Sequence, residues 1–324
     1  MLYIFMEKRT LVKSGASSFN IALPIDWVRK NKLEKGSEVS IDENETGDLI
    51  LTLSRDPFAF QQSHHTIKVT PENSKLLYWE LLQAYLHNYT IINLEGENVS
   101  SISSPVIQHL NSFIGLDVIE QTKNLIVLKN FSAKDTDTSP YNLVKKLDVG
   151  VRVMIDTIQL FFSKGFSHDD VLELQSQHEY NERVYLYAFK IIDNIIDAPS
   201  LMRVFKTDYR QLMKEHELIN SLRQISFRLA KMGKLLLFIE HGGKGARAIK
   251  EMFGVLHAKY RTVVSLPKNP ISREMIEILN CSKENVARWE SNIKDLKIQP
   301  LIELFFYGIS INSILDQLGL ELMN

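Results

Sequence analysis

The chain has 324 residues, 44% of them hydrophobic and 24% charged, and a formal net charge of −1. A chain of this length divides into two or three domains. The near-zero charge excludes a global attraction to nucleic acid or membrane, so any such partner must meet a local patch, and the one cysteine, Cys281, excludes an internal disulfide or a cysteine-built zinc site.

Cys281 is expected to be buried in apolar surroundings, and its solitude fits a reducing cytoplasm. The apolar opening "MLYIFM" and the run "KLLLFI" at residues 234–239 are both too short to span a bilayer. No membrane insertion is expected, and the expected location is cytoplasmic.

Residues 1–55 form the first domain. "RTLVK", "SFNIAL" and "EVSIDE…GDLILTL" alternate or carry β-branched residues, which predicts strands. "PIDWVRKNKL" opens with a proline, which suits the first turn of a short helix, and Gly36 is expected to close it. "ENETGD" predicts a hairpin turn with Gly47 at positive φ. The apolar set Leu23, Trp27, Val28, Leu33, Val39, Ile41, Leu49 and Leu51 is too small for an independent core. Without a disulfide or metal staple, a second chain is the physical solution.

Charge in this segment is uneven. Lys8, Arg9, Lys13, Arg29, Lys30, Lys32 and Lys35 face only Asp26 and Glu34, after which acidic residues follow. Two copies would gather the basic ends into one patch able to displace counterions from DNA phosphates.

Residues 56–135 form the second domain. A strand "TIKVT", an amphipathic helix with Leu76, Leu77, Leu81 and Tyr85 on its apolar face, and a strand "TIINLE" come first. A helix from "SSPVIQHLNSFIG", capped by Ser103 or Ser104 and stopped at Gly115, and a hairpin at Lys123–Asn124 complete the order βαβαββ. The adjacent His64 and His65 are expected in a solvated linker.

Residues 139–324 carry helical periodicity and no strand signal. Long helices end at Gly165, begin after Ser167, run from Asp208 to before Gly242–Gly243, end before Pro267, begin at Ser272, and close the chain from Gln299. Three long helices, a break and three more predict a pair of three-helix bundles. "EHGGKGAR" at residues 240–247 reads as an interhelical turn. No phosphate-binding loop of the type GxxxxGK[ST] occurs, "HELIN" at 216–220 lacks the second histidine of a zincin, and Cys281 has no histidine at catalytic spacing. No enzyme is expected.

Arg9, "KSGASS", the "ALP" strand end, "IDWVRKNKLEKG", "SEVSI" and "LILTL" together resemble the AbrB/SpoVT/MazE swapped-hairpin DNA-binding domain. That resemblance implies a homodimer with interlaced hairpins. It also implies DNA contacts from Arg9, Lys13, Arg29 and Lys30, with Ser14, Ser17, Ser18 and Asn20 bonding phosphates or base edges; Asn20 stands where the family usually has arginine.

The helical region, with "HEYNERVYLYAFKII", resembles the PhoU family, and the order of domains resembles the archaeal phosphate-uptake regulators that join the two. The fold this implies is multidomain: a small swapped-hairpin β domain, a small α/β domain, then an all-α PhoU-like pair of three-helix bundles. The implied function is a transcriptional or signalling regulator of phosphate uptake. Its partners would be DNA and a phosphate transporter ATPase or signalling protein. The alternative is a dimeric adaptor that acts by protein contact alone.

PhoU proteins hold iron or zinc clusters on carboxylates four apart on a helix. Here His178, Glu179 and Glu182 match that first site in part, with His178 in place of a carboxylate. Arg223 and Phe227 stand at the second site, where the family has acidic residues. The expectation is therefore no cofactor, with iron or zinc at the reduced set as the alternative.

Overall fold

The computed structural model describes residues 8–43, 47–53, 63–102, 110–131, 138–197, 200–265, 272–294 and 299–323. The chain divides into two compact units, Met1–Asp56 and Pro57–Asn324.

The first unit holds two separate two-stranded sheets and one short helix. Strands β1 (Val12–Ser14) and β2 (Ser18–Asn20) form an antiparallel hairpin around Gly15, whose φ is +80°. Helix α1 (Ile25–Lys30) follows Pro24. It ends earlier than expected. Asn31 caps it through Nδ2 to the Trp27 carbonyl, and Lys32 turns the chain at φ +52°, so Gly36 serves the following turn instead. Strands β3 (Val39–Glu43) and β4 (Leu49–Leu53) pair antiparallel, with Gly47 at φ +83°; residues 44–46 of the expected turn lie outside the described residues.

The second unit begins with β5 (His64–Lys68), α2 (Leu77–Leu86), β6 (Ile91–Glu95), α3 (Val99–Ile102), a 3-10 turn at Leu110–Ser112, β7 (Leu116–Gln121) and β8 (Leu125–Asn130). Ser103 and Ser104, expected as a cap, lie outside the described residues. The sheet order is β5-β6-β8-β7, with β5 and β6 parallel and the other pairs antiparallel. Alternation puts Ile67, Ile92, Leu94, Ile126 and Leu128 on one buried face. Leu77, Leu81 and Tyr85 of α2 are buried as expected, but Leu76 precedes the helix and is 57% exposed. His64 and His65 lie in β5 rather than in a linker, and His65 stacks on Tyr89 with centroids 4.7 Å apart.

The helical body comprises α4 (Pro140–Lys164), α5 (His168–Asp197), α6 (Ser200–Phe205), α7 (Tyr209–Leu236), α8 (Lys244–Ser265), α9 (Arg273–Asn280), α10 (Ser282–Lys294) and α11 (Gln299–Met323). Pro140 in the first turn, the Ser139 hydroxyl accepting from the Asn142 N–H, and Gly165 at φ +83° bound α4. Asp208 caps α7 by accepting from the Gln211 N–H. The expected long helix after Ser272 is broken at Cys281, which is exposed rather than buried.

Helices α4, α5 and α7 pack on one another as a three-helix set. Helix α11 packs against α7, α8 and α10, so α7 belongs to both halves of the body. The buried apolar residues of the sheet and the helices form one continuous cluster. The sheet joins the helices through α5, which packs on α2 and on the turn at Leu110–Ser112, while α7 carries buried residues from Leu212 to Leu236. Among the described residues no helix is long and apolar enough to cross a membrane.

Candidate nucleic-acid interface

The expected DNA contacts lie on the first unit, where no described side chain is buried. Leu23, Trp27, Val28, Leu33, Val39 and Leu53 are half-buried. Ile41, Leu49 and Leu51, of the same apolar set, are 62%, 65% and 38% exposed. The register of β3–β4 explains how they fall together. Val39 pairs with Leu53, Ile41 with Leu51 and Glu43 with Leu49, and directly opposed residues share a face. One side of this hairpin therefore carries Val39, Ile41, Leu49, Leu51 and Leu53, with Glu43 at its end, while Ser40 and Ile50 lie on the other. An isolated two-stranded hairpin is marginal in water, and this one presents its apolar side uncovered.

In β1–β2 Lys13 pairs with Phe19, Val12 with Asn20, and Ser14 with Ser18. Lys13 thus shares a face with Phe19, and Ser14, Ser18 and Asn20 share the opposite face with Val12. The structure brings the three polar residues together and sets Lys13 apart from them. Ser18 donates its hydroxyl to the Ser14 carbonyl, which closes the turn. Ser17 lies in that turn and is exposed. Arg9, ahead of β1, is also exposed.

Arg29 and Lys30 occupy the last turn of α1 and are exposed. Cations there sit favourably at the negative end of the helix dipole, and their side chains remain accessible to an anion. The exposed cations of this unit can neutralise phosphates and release counterions; the hydroxyls and Asn20 can take or give hydrogen bonds.

The candidate metal residues lie in the second unit. His178, Glu179 and Glu182 are on α5, facing α7. Arg223 of α7 directs Nε at both carboxylate oxygens of Glu182, at 2.9 and 3.0 Å. The guanidinium that reaches Glu182 thus comes from the facing helix. A cation at Glu182 would have to displace that guanidinium.

His178 Nδ1 lies 3.1 Å from the Ser226 hydroxyl, and its ring packs edge-on to Phe227. Burial pulls the His178 pKa below its ordinary value, partly opposed by the nearby Glu182 carboxylate. His178 and Glu179 line a cleft with Phe227, Lys231 and Lys234. Among the described residues, no three of histidine, cysteine, aspartate and glutamate gather in a way that could hold a metal ion.

Sequence reasoning missed the polar groups inside the body. Asn181 donates Nδ2 to the Ser226 hydroxyl at 3.0 Å and is fully buried. Lys190 and Lys259 are each 1% exposed. The one available signal was position: each stands on the apolar stripe of its helix, where a polar residue must find a partner.

Compared with protein-family models, with curated proteins and with solved structures, the chain gives no match.

Proposed function

We propose that this chain is a dimeric regulator of phosphate uptake. Two N-terminal units interlace their hairpins and present Arg9, Arg29 and Lys30, with Lys13, to duplex DNA. The helical body receives the phosphate signal through a protein partner, a transporter ATPase or a signalling protein, in keeping with the resemblance of its sequence to the PhoU type. The observation that carries the reading is the uncovered apolar side of the β3–β4 hairpin, with Ile41 and Leu49 more than 60% exposed. Burying such a strip against another chain yields about 25 cal/mol for each Å² removed from water, and pairing two heads doubles the local positive charge.

Sedimentation of the full chain together with a salt-dependent DNA-binding titration tests the proposal. The full chain is expected to self-associate, and Ile41→Asp/Leu51→Asp to weaken that association. The expected binding weakens steeply with salt and is lost in Arg9→Ala/Arg29→Ala/Lys30→Ala. A monomer at micromolar concentration removes the dimeric head.

A second reading is favoured by the separation of Lys13 from Ser14, Ser18 and Asn20. In it the head is a clasp alone and the protein is an adaptor. Equal DNA binding by the triple variant and the parent, or none by either at low salt, selects it.

A further inference from the structure

We propose that the outward side of α4 is a self-association surface on which a second copy of this chain lays its own α4 antiparallel. The inward side of α4 carries Leu143, Leu147, Val151, Met154, Ile158 and Phe161, all buried in the bundle. A flank of α4 also meets α8, where Asp148 accepts from the Tyr260 hydroxyl and Gln159 bonds His257. A second, narrower stripe runs along the solvent side: Asn142, Lys146, Val149, Val153, Asp156 and Leu160. Val149 is 60%, Val153 37% and Leu160 44% exposed, and Lys146 and Asp156 are exposed too.

The steps along this stripe are four, three, four, three and four residues. That is the spacing of a coiled-coil seam, in which alternate three- and four-residue steps keep one line of side chains toward a partner helix. An ordinary solvent face has no reason to place two valines and a leucine on such a line.

The step pattern also reads the same in both directions. In an antiparallel pair related by a twofold axis, positions equidistant from the centre face each other. Val149 then meets the partner's Val153, and Lys146 meets the partner's Asp156. Asn142 meets the partner's Leu160. Each contact occurs twice. A parallel pair in register would instead set Lys146 against Lys146 and Asp156 against Asp156, which like-charge repulsion disfavours. Charge thus selects both the second copy as occupant and its direction.

The ground beside the seam suits a helix. A shallow groove between α4 and α5 is lined by Lys146, Val149, Val153, Gln177 and Tyr180, with Tyr180 45% exposed. The seam spans about 27 Å at 1.5 Å per residue. Only α4 and α5 enter this inference, so it does not rest on the N-terminal unit or on DNA binding.

Disulfide trapping with full-length chains tests it. In a Cys281→Ser background, one chain carries Val149→Cys and a second, differently tagged chain carries Val153→Cys. The two are co-expressed and equilibrated in a glutathione buffer. The expected product is the mixed 149–153 link, several-fold above the 149–149 and 153–153 links, because like positions sit a helical turn apart across the seam. Leu172→Cys, an equally exposed site on α5, is the control.

Lys146→Glu is expected to lower the mixed yield several-fold, and adding Asp156→Lys to restore it. A statistical mixture of links, a yield no higher than the control, or no restoration by the second charge reversal overturns the proposal. In a Lys146→Glu background, which weakens the seam, Ile41→Asp/Leu51→Asp read by sedimentation reports on the head separately, so either reading can fail without the other.

Discussion

Arg223 of α7 clasps Glu182 of α5 across forty-one residues of sequence, and its guanidinium also lies 4.2 Å from the centroid of the Tyr185 ring. The pair is partly exposed, with side chains 44% and 29% accessible, so water and salt screen it. Arg223→Ala is expected to cost about 1 kcal/mol, shared between the ion pair and the cation–π contact. A urea double-mutant cycle with Glu182→Gln checks it; a coupling well above that size would mean the pair is far less solvated. Arg223→Glu replaces the cation beside Glu182 with a third carboxylate, and tighter zinc binding than in the parent is expected by calorimetry.

Lys190 donates Nζ to Asn130 Oδ1 at 2.7 Å and lies 4.4 Å from the centroid of the Tyr85 ring. Burial pulls its pKa from 10.5 to about 7. Between those values the unfolded chain binds a proton that the folded chain does not. Stability from this group therefore rises with pH across that window and is flat below it, with a slope of at most about 1.4 kcal/mol per pH unit. Lys190→Met should lack this rise. Urea unfolding of both proteins at pH 7 and pH 9 checks it, the parent gaining on the variant as pH increases.

Lys259 on α8 is 1% exposed and donates to Asn312 Oδ1 at 2.9 Å, to Ser282 Oγ at 3.1 Å and to the Asp316 carboxylate. Three donors meet three acceptors from α10 and α11. Asp316→Ala strands the ammonium, and a loss of about 3 kcal/mol is expected. Lys259→Met with Asp316→Leu removes both charges and should recover most of that loss. Thermal unfolding of the single and double variants measures the difference.

Two glycines separate a rigid obstacle from a yielding one. A Cβ on Gly96 would lie 2.1 Å from the Val69 carbonyl oxygen, while one on Gly308 would lie 2.2 Å from Met252 Sδ. The carbonyl belongs to the chain beside the sheet and accepts no easy shift; the thioether is the flexible end of a side chain. Gly96→Ala is expected to be the more destabilising by at least about 1 kcal/mol. Denaturant midpoints of the two variants decide it.

Much of the fold was legible where one residue type fixes a local geometry. Gly165 ends α4 and Gly47 turns at positive φ, as their residue type predicts, and apolar periodicity marks the strands and the first helix of the small sheet. The break at Cys281 was not legible, because the residues on either side continue a helical pattern. That Ile41, Leu49 and Leu51, rather than Trp27, Val28 or Leu33, are the exposed members of the apolar set was not legible either: alternation says which residues share a side of a hairpin, and nothing about what covers it. The candidate DNA residues were named by type, but their division between two faces of β1–β2 depended on the strand register.

By itself the sequence determined the kinds of element and their order, because helix and strand periods, caps and turn glycines act within a few residues of each other. Tertiary structure alone decided that Arg223 answers Glu182, that α7 serves both halves of the body, and that Lys190 and Lys259 lie inside. Those outcomes depend on contacts between segments far apart in the chain, where burial and pairing are set by which surfaces meet.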